Sequence, residues 1–104
     1  MSLGQKFTYR NKKILDHARG QACTNCGRED GTVVAAHSND SRLGKGRGIK
    51  AHDIYVAFLD SGCHSWLDSG SGKDPSGIYD NKHEMWQHAH DKTLLILLLD
   101  EVIK

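Results

Sequence analysis

A chain of 104 residues has room for one modest core, and an apolar content of 38% is low for a globular domain. Small cores of this kind usually need a staple, and three cysteines and seven histidines are the candidates. Residues 1–20 are polar and basic with no secretory signal, and the cysteine count is odd. Both features argue against a disulfide framework and for metal-bound thiols in a reducing cytoplasm. A net charge of +1 excludes a polycation held to nucleic acid by bulk charge.

The charges are unevenly placed. Lys6, Arg10, Lys12 and Lys13 form one basic cluster, and Arg42, Lys45, Arg47 and Lys50 form another. Such local patches on a near-neutral chain fit a directed phosphate contact; a solvated surface accounts for the first cluster equally well.

In chain order, residues 10–19 read as a short helix ended by Gly20. Cys23-Thr-Asn-Cys26-Gly27 is a knuckle with two thiols on a turn. Residues 32–37 are β-branched and bounded by Gly31, which predicts a strand. Residues 38–51 alternate glycine with basic side chains and read as a loop, and residues 54–59 as a second strand closing a wide hairpin. Cys63 to Ser69 predicts a short helix stopped at Gly70, and 70–77 is turn chemistry. Residues 78–104 read as one long helix or two, with Met85, Trp86 and Ala89 on one stripe. The apolar run Leu94–Leu99 is far short of the roughly 20 residues that cross a bilayer, so no membrane partner is expected. Buried packing or a homodimer interface through this C-terminal helix explains it. The expected fold is a single α+β domain over 1–104, with a core at 19–69 and a helical tail at 78–104.

Cys23 and Cys26 make half of a tetrahedral zinc site, and Cys63 is the remaining thiol. A paired knuckle would put its other thiol at position 60, which is Asp60. A carboxylate binds zinc, so Cys23, Cys26, Asp60 and Cys63 are one candidate set for a structural Zn²⁺. A histidine of the C-terminal helix as fourth ligand, or a weak site, are the alternatives. His64 and Asp68 are four apart and share a helix face, where they would make an open site for a catalytic divalent ion such as Mg²⁺. His37 ends the first strand as the candidate general base, with Asp53 placed to accept its other ring N–H.

The order of these groups resembles the HNH (ββα-metal) nucleases, whose pattern runs His, Asn, His after a C-x-x-C; here the letters are His37, Asp53 and His64. More narrowly, the chain is similar to the short phage and prophage nuclease family that includes YbcO. The residues that carry this are Ala-His-Ser-Asn at 36–39, Gly-Lys-Gly-Arg-Gly-Ile-Lys-Ala-His-Asp at 44–53 and Cys-His-Ser-Trp-Leu-Asp at 63–68. The resemblance covers Arg19 to Asp68 and implies a ββα-metal finger, one catalytic divalent ion and phosphodiester cleavage of nucleic acid. Asp60 stands where that family usually has cysteine, Asp53 where many HNH enzymes have asparagine, and Ala36 where the wider group often has a metal ligand.

The expected function is therefore a metal-dependent endonuclease, acting on DNA in phage or prophage recombination or DNA processing. Water activated by His37 attacks a phosphodiester whose charge the divalent ion on His64 and Asp68 stabilises. Arg42, Lys45, Arg47 and Lys50 are the candidate phosphate contacts, because glycine lets backbone N–H groups approach while the cations neutralise charge. The rival expectation is an inactive zinc-knuckle DNA-binding accessory protein. His52, His83, His88 and His90 read as surface histidines, and Trp66 and Trp86 as packing anchors.

Overall fold

The computed structural model describes residues 9–38 and 52–103. The basic loop, with Arg42, Lys45, Arg47 and Lys50, lies outside the described residues. Helix α1 (Lys12–His17) is followed by strands β1 (Val34–His37) and β2 (Val56–Leu59) and by helices α2 (Ser61–Ser69) and α3 (Lys82–Leu99). The result is a small α+β arrangement around one two-stranded antiparallel sheet.

All elements but one are shorter than the sequence predicts, and local polar chemistry sets several of the boundaries. Helix α1 begins only after Asn11, whose side chain accepts the Lys13 amide. Thr32 stays out of β1 because its hydroxyl bonds to Asp30 and accepts the Ser61 amide. Ile54 and Tyr55 stay out of β2 because the Tyr55 amide closes a turn onto the His52 carbonyl. Helix α2 starts earlier than predicted, since Asp60 caps it by accepting the Cys63 amide at 2.8 Å. Residues 78–103 hold a single helix, opened by Asn81 accepting the Glu84 amide.

Strand β2 is the centre of the molecule. All four of its residues are fully buried, with the register His37↔Val56 and Val34↔Leu59 on the β1 side. Its other edge is closed by side chains. The Phe58 amide donates to Thr93 Oγ1 at 3.0 Å, the Phe58 carbonyl accepts from the Thr24 amide and hydroxyl at 2.9 Å each, and the Val56 carbonyl accepts from His90 Nδ1 at 2.7 Å. Backbone that this edge would otherwise leave bare, at Phe58 and at the Val56 carbonyl, is thereby paired.

His90 is 6% exposed and stacks on Trp86 with 4.7 Å between ring centroids, so its reading as a surface histidine is overturned. The helical spacing of positions 83, 87 and 90 hid this role: His83 and Gln87 are exposed, and His90 falls on the Trp86 stripe. Met85, Trp86 and Ala89 are buried as predicted. Trp86 Nε1 donates to the Ala36 carbonyl at 3.2 Å, while Trp66 Nε1 is buried with no acceptor among the described residues. Gly70 ends α2 at φ −74, so it is not needed for a left-handed turn. It is needed because a Cβ there would sit 2.3 Å from the Trp66 ring.

The apolar run at 94–99 divides between two environments. Leu97 is buried, whereas Leu95, Leu98 and Leu99 face outward. No helix among the described residues is long and apolar enough to cross a membrane.

Helix α3 stops at Leu99 by a Schellman arrangement. The Glu101 amide donates to the Leu98 carbonyl at 3.1 Å and the Val102 amide to the Leu97 carbonyl at 2.9 Å. Glu101 sits at φ +58, a conformation that suits glycine and costs other residues roughly 1–2 kcal/mol. Part of that gain is lost to the greater freedom of glycine in the unfolded chain. Glu101→Gly is therefore expected to stabilise the protein by up to about 1 kcal/mol, read as a rise in the denaturation midpoint. A lowered midpoint would contradict this account of the helix end.

Candidate metal centre and the His37–Asp53 pair

Cys23, Cys26, Asp60 and Cys63 come together, each offering a ligand atom within 4.8 Å of the others. The sequence brings them there in two halves. Cys23 and Cys26 lie on the knuckle, where Gly27 at φ +82 closes the turn and donates its amide to the Cys23 carbonyl at 2.9 Å. Thr24, between the thiols, ties that turn to β2 through the Phe58 carbonyl. Asp60 and Cys63 follow directly from the end of β2 and the first turn of α2.

The cluster fits a soft, tetrahedral ion. Ligands at about 2.0–2.3 Å from zinc stand within about 4 Å of each other, which is the spacing class of this group. Burial pushes the Cys63 thiol well above its ordinary pKa, and it pushes Cys26 up as well. Burial would also raise the Asp60 carboxyl, but hydrogen bonds from the Cys63 amide and the Cys26 and Cys63 thiols outweigh it and hold Asp60 below the usual carboxylate range. An ionised carboxylate facing protonated thiols at 3.1 Å (Cys26 Sγ to Asp60 Oδ2) is a proton arrangement that a divalent cation replaces readily. The four residues could thus hold a metal such as zinc, with three sulfurs and one oxygen.

Asp60 has two tasks in this geometry. Its Oδ1 caps α2 and its Oδ2 faces Cys26. Sequence reasoning took up the second task and passed over the first, although Asp before a helical turn is a capping signal.

At the opposite end of the hairpin, His37 Nε2 lies 2.8 Å from Asp53 Oδ1. Asp53 lies in the turn before the second strand and is 2% exposed. Its other oxygen accepts the Asn11 amide at 2.7 Å, and Arg10 Nη1 approaches Oδ1 at 3.3 Å. An ionised carboxylate only accepts, so Nε2 of a neutral His37 carries the proton and Nδ1 holds the lone pair. Sequence reasoning missed Asn11 and the turning of Arg10 onto Asp53, because nothing local links residues 10–11 to residue 53.

His64 Nε2 and Asp68 Oδ2 face one another on α2 at 3.8 Å, both partly exposed. Two donors at that distance can share an ion at about 2.0–2.2 Å from each. Among the described residues no third histidine, cysteine or carboxylate completes that pair as a cluster, and no hydrogen bond or ion pair links it to His37.

A further buried carboxylate, Asp74, lies in the segment read as plain turn chemistry. It is 4% exposed and accepts the Ile78 and Tyr79 amides at 3.1 and 2.8 Å, the Ser76 amide and hydroxyl, and the Asn25 carboxamide. Burial alone would raise it, but these donors, Asn25 first among them, lower its pKa to about 2.

Comparison with family models, with curated proteins and with solved structures found no match.

Two outcomes follow. Asp60→Asn keeps an oxygen to cap α2 and removes the anionic ligand. Zinc affinity, measured by chelator competition, is expected to fall about tenfold or more while the metal-free stability changes little. Unchanged affinity would remove Asp60 from the ligand set. For Asp74, a folded-state pKa below the unfolded value means a contribution that is complete above about pH 4 and is lost as pH falls through about 2. Asp74→Asn is expected to cost about 2 kcal/mol at neutral pH and to flatten the acid limb of the stability profile between those values.

Proposed function

We propose that this chain is a metal-dependent endonuclease of the HNH type, hydrolysing phosphodiester bonds of nucleic acid, DNA in the first place, with His37 as general base. The observation that carries the reading is the pair of His37 Nε2 and Asp53 Oδ1 at 2.8 Å, on a hairpin that runs directly into a helix presenting His64 and Asp68. The order strand, strand, helix supports the ββα finger that the motifs suggest.

Asp53 fixes the ring of His37 and its tautomer, so that Nδ1 is the basic nitrogen. A water on Nδ1 loses its proton to the ring and attacks phosphorus in line with the leaving oxygen. Asp53 stabilises the imidazolium that forms, without taking the proton itself, and the backbone amide of Asn11 keeps the carboxylate in place. His64 and Asp68 are the residues that would hold a divalent ion, which supplies charge stabilisation for the phosphorane and the departing oxygen. The basic residues Arg42, Lys45, Arg47 and Lys50 belong to this reading as the phosphate contacts.

One observation favours a second reading. Among the described residues only the Cys–Asp group gathers three or more ligands, which suits a zinc-knuckle DNA-binding module without catalysis.

Plasmid nicking with Mg²⁺, Mn²⁺ or Ni²⁺ separates the two. Under the nuclease reading the wild type nicks, EDTA abolishes nicking, and His37→Ala lowers the rate by about 100-fold or more while leaving DNA binding intact. Equal cutting by His37→Ala sinks the proposed mechanism. DNA binding with no nicking under any of these ions selects the binding module.

A further inference from the structure

The metal cluster is joined to the rest of the chain by a side chain that neither reading uses. Asn25 sits between the knuckle cysteines, and its carboxamide nitrogen faces two acceptors at once. It donates to Cys63 Sγ at 3.3 Å and to Asp74 Oδ2. The nitrogen has two hydrogens, so both bonds are made without competition. The pairing also fixes the orientation of the amide, since its oxygen would face a carboxylate if turned round.

Asp74 is in turn held rigidly. Its carboxylate takes the amides of Ser76, Ile78 and Tyr79, and its own amide donates to the Tyr79 carbonyl at 2.7 Å. A buried anion surrounded by donors from its own loop costs little to keep ionised, and it aims Asn25 at the sulfur. Asn25 itself is only half-buried. Left to itself, such a side chain would point to water.

A site of three thiolates and one carboxylate around a divalent ion carries two net negative charges, and each N–H aimed at sulfur spreads that charge. Resting on the metal-centre reading, we propose that Asn25 is a positioning residue for the Cys63 thiolate, and that Asp74 holds it there, so that the 74–79 loop tunes how tightly the knuckle binds its metal. Cys63 is the ligand that most needs such help, because it is wholly buried and no water reaches its sulfur.

The test uses the full chain, loaded with Zn²⁺ or with Co²⁺ as a coloured substitute, in wild type, Asn25→Leu, Asn25→Gln, Asp74→Asn and the Asn25→Leu/Asp74→Asn double variant. Zinc affinity is read by chelator competition, and the sulfur-to-cobalt charge-transfer band reports the thiolate directly. Asn25→Leu is expected to weaken zinc about tenfold and to move the cobalt band to longer wavelength, because a thiolate without its hydrogen bond is a better electron donor. Asp74→Asn is expected to act in the same direction, with the double variant no worse than Asn25→Leu alone, as for two members of one chain of contacts. Asn25→Gln, which keeps the donor on a longer arm, is expected to recover part of the affinity.

An unmoved cobalt band and a zinc affinity within twofold of wild type in Asn25→Leu overturn the proposal, as does simple addition of the two single effects. If Asn25→Leu does not fold, Asp74→Asn and Asn25→Gln decide by the same two readouts. A wild-type chain that binds neither ion overturns the metal centre itself and the proposal with it. Tight binding in wild type with no response in the variants overturns the positioning role alone.

Discussion

Strand β2 has to be satisfied along both edges, and the rest of the molecule is arranged around that need. One edge pairs with β1. The other has no strand, so the Phe58 and Val56 backbone groups would be buried and unpaired, each at a cost of about 1–3 kcal/mol. Thr24, His90 and Thr93 supply the missing partners from the knuckle and from α3. The same bonds that close the edge also locate the knuckle, since Thr24 lies between Cys23 and Cys26. They locate α3 too, since His90 and Thr93 are successive turns of its buried stripe. A four-residue strand thus sets the position of every element that carries candidate chemistry.

The second organising device is the buried carboxylate, used three times. Asp53, Asp60 and Asp74 are all almost fully buried, and each accepts at least one hydrogen bond from a segment distant in sequence. Asp53 joins residues 10–11 to His37, Asp60 joins the start of α2 to Cys26, and Asp74 joins its loop to Asn25. In a chain with little apolar area to bury, such fully satisfied anions replace part of a core as fixed points. They also place negative charge beside the thiols at Asp60 and beside an imidazole and a guanidinium at Asp53.

Much of this was legible in the sequence where the signal is local. The C-x-x-C spacing with Cys63, the two strands and the Met85–Trp86–Ala89 stripe all depend on neighbours a few residues away. The metal group of Cys23, Cys26, Asp60 and Cys63 assembles as that spacing suggested. What the sequence hid was set by contacts at long range or by ambiguous chemistry. His90 shares its spacing with exposed residues and is told from them by the Val56 carbonyl it meets and the Trp86 ring it stacks on. Helix α3 carries no glycine or proline stop, so its end at Leu99 depends on Glu101 taking up a conformation that glutamate rarely adopts. Asp74 looked like turn chemistry because its acceptor role toward Asn25 spans 49 residues.

The two candidate centres lie at opposite ends of the hairpin, and this bears on how they depend on each other. His37 pairs with Val56, and the metal group follows Leu59, so the strand places them about 10 Å apart along its length. His64 follows Cys63 immediately, and Asp68 lies about 6 Å further along α2. The start and direction of α2 are fixed by Asp60 and Cys63, the two metal-group residues at its first turn. Under the nuclease reading, the ion on the knuckle therefore acts at a distance: it orients the helix that presents His64 and Asp68 to the substrate, while Asp53 independently orients His37. The general base and the ion-binding pair would then be held by separate anchors, the buried Asp53 network for one and the thiol cluster for the other. Disturbing the thiol cluster should displace His64 and Asp68 but leave the 2.8 Å contact between His37 and Asp53 in place.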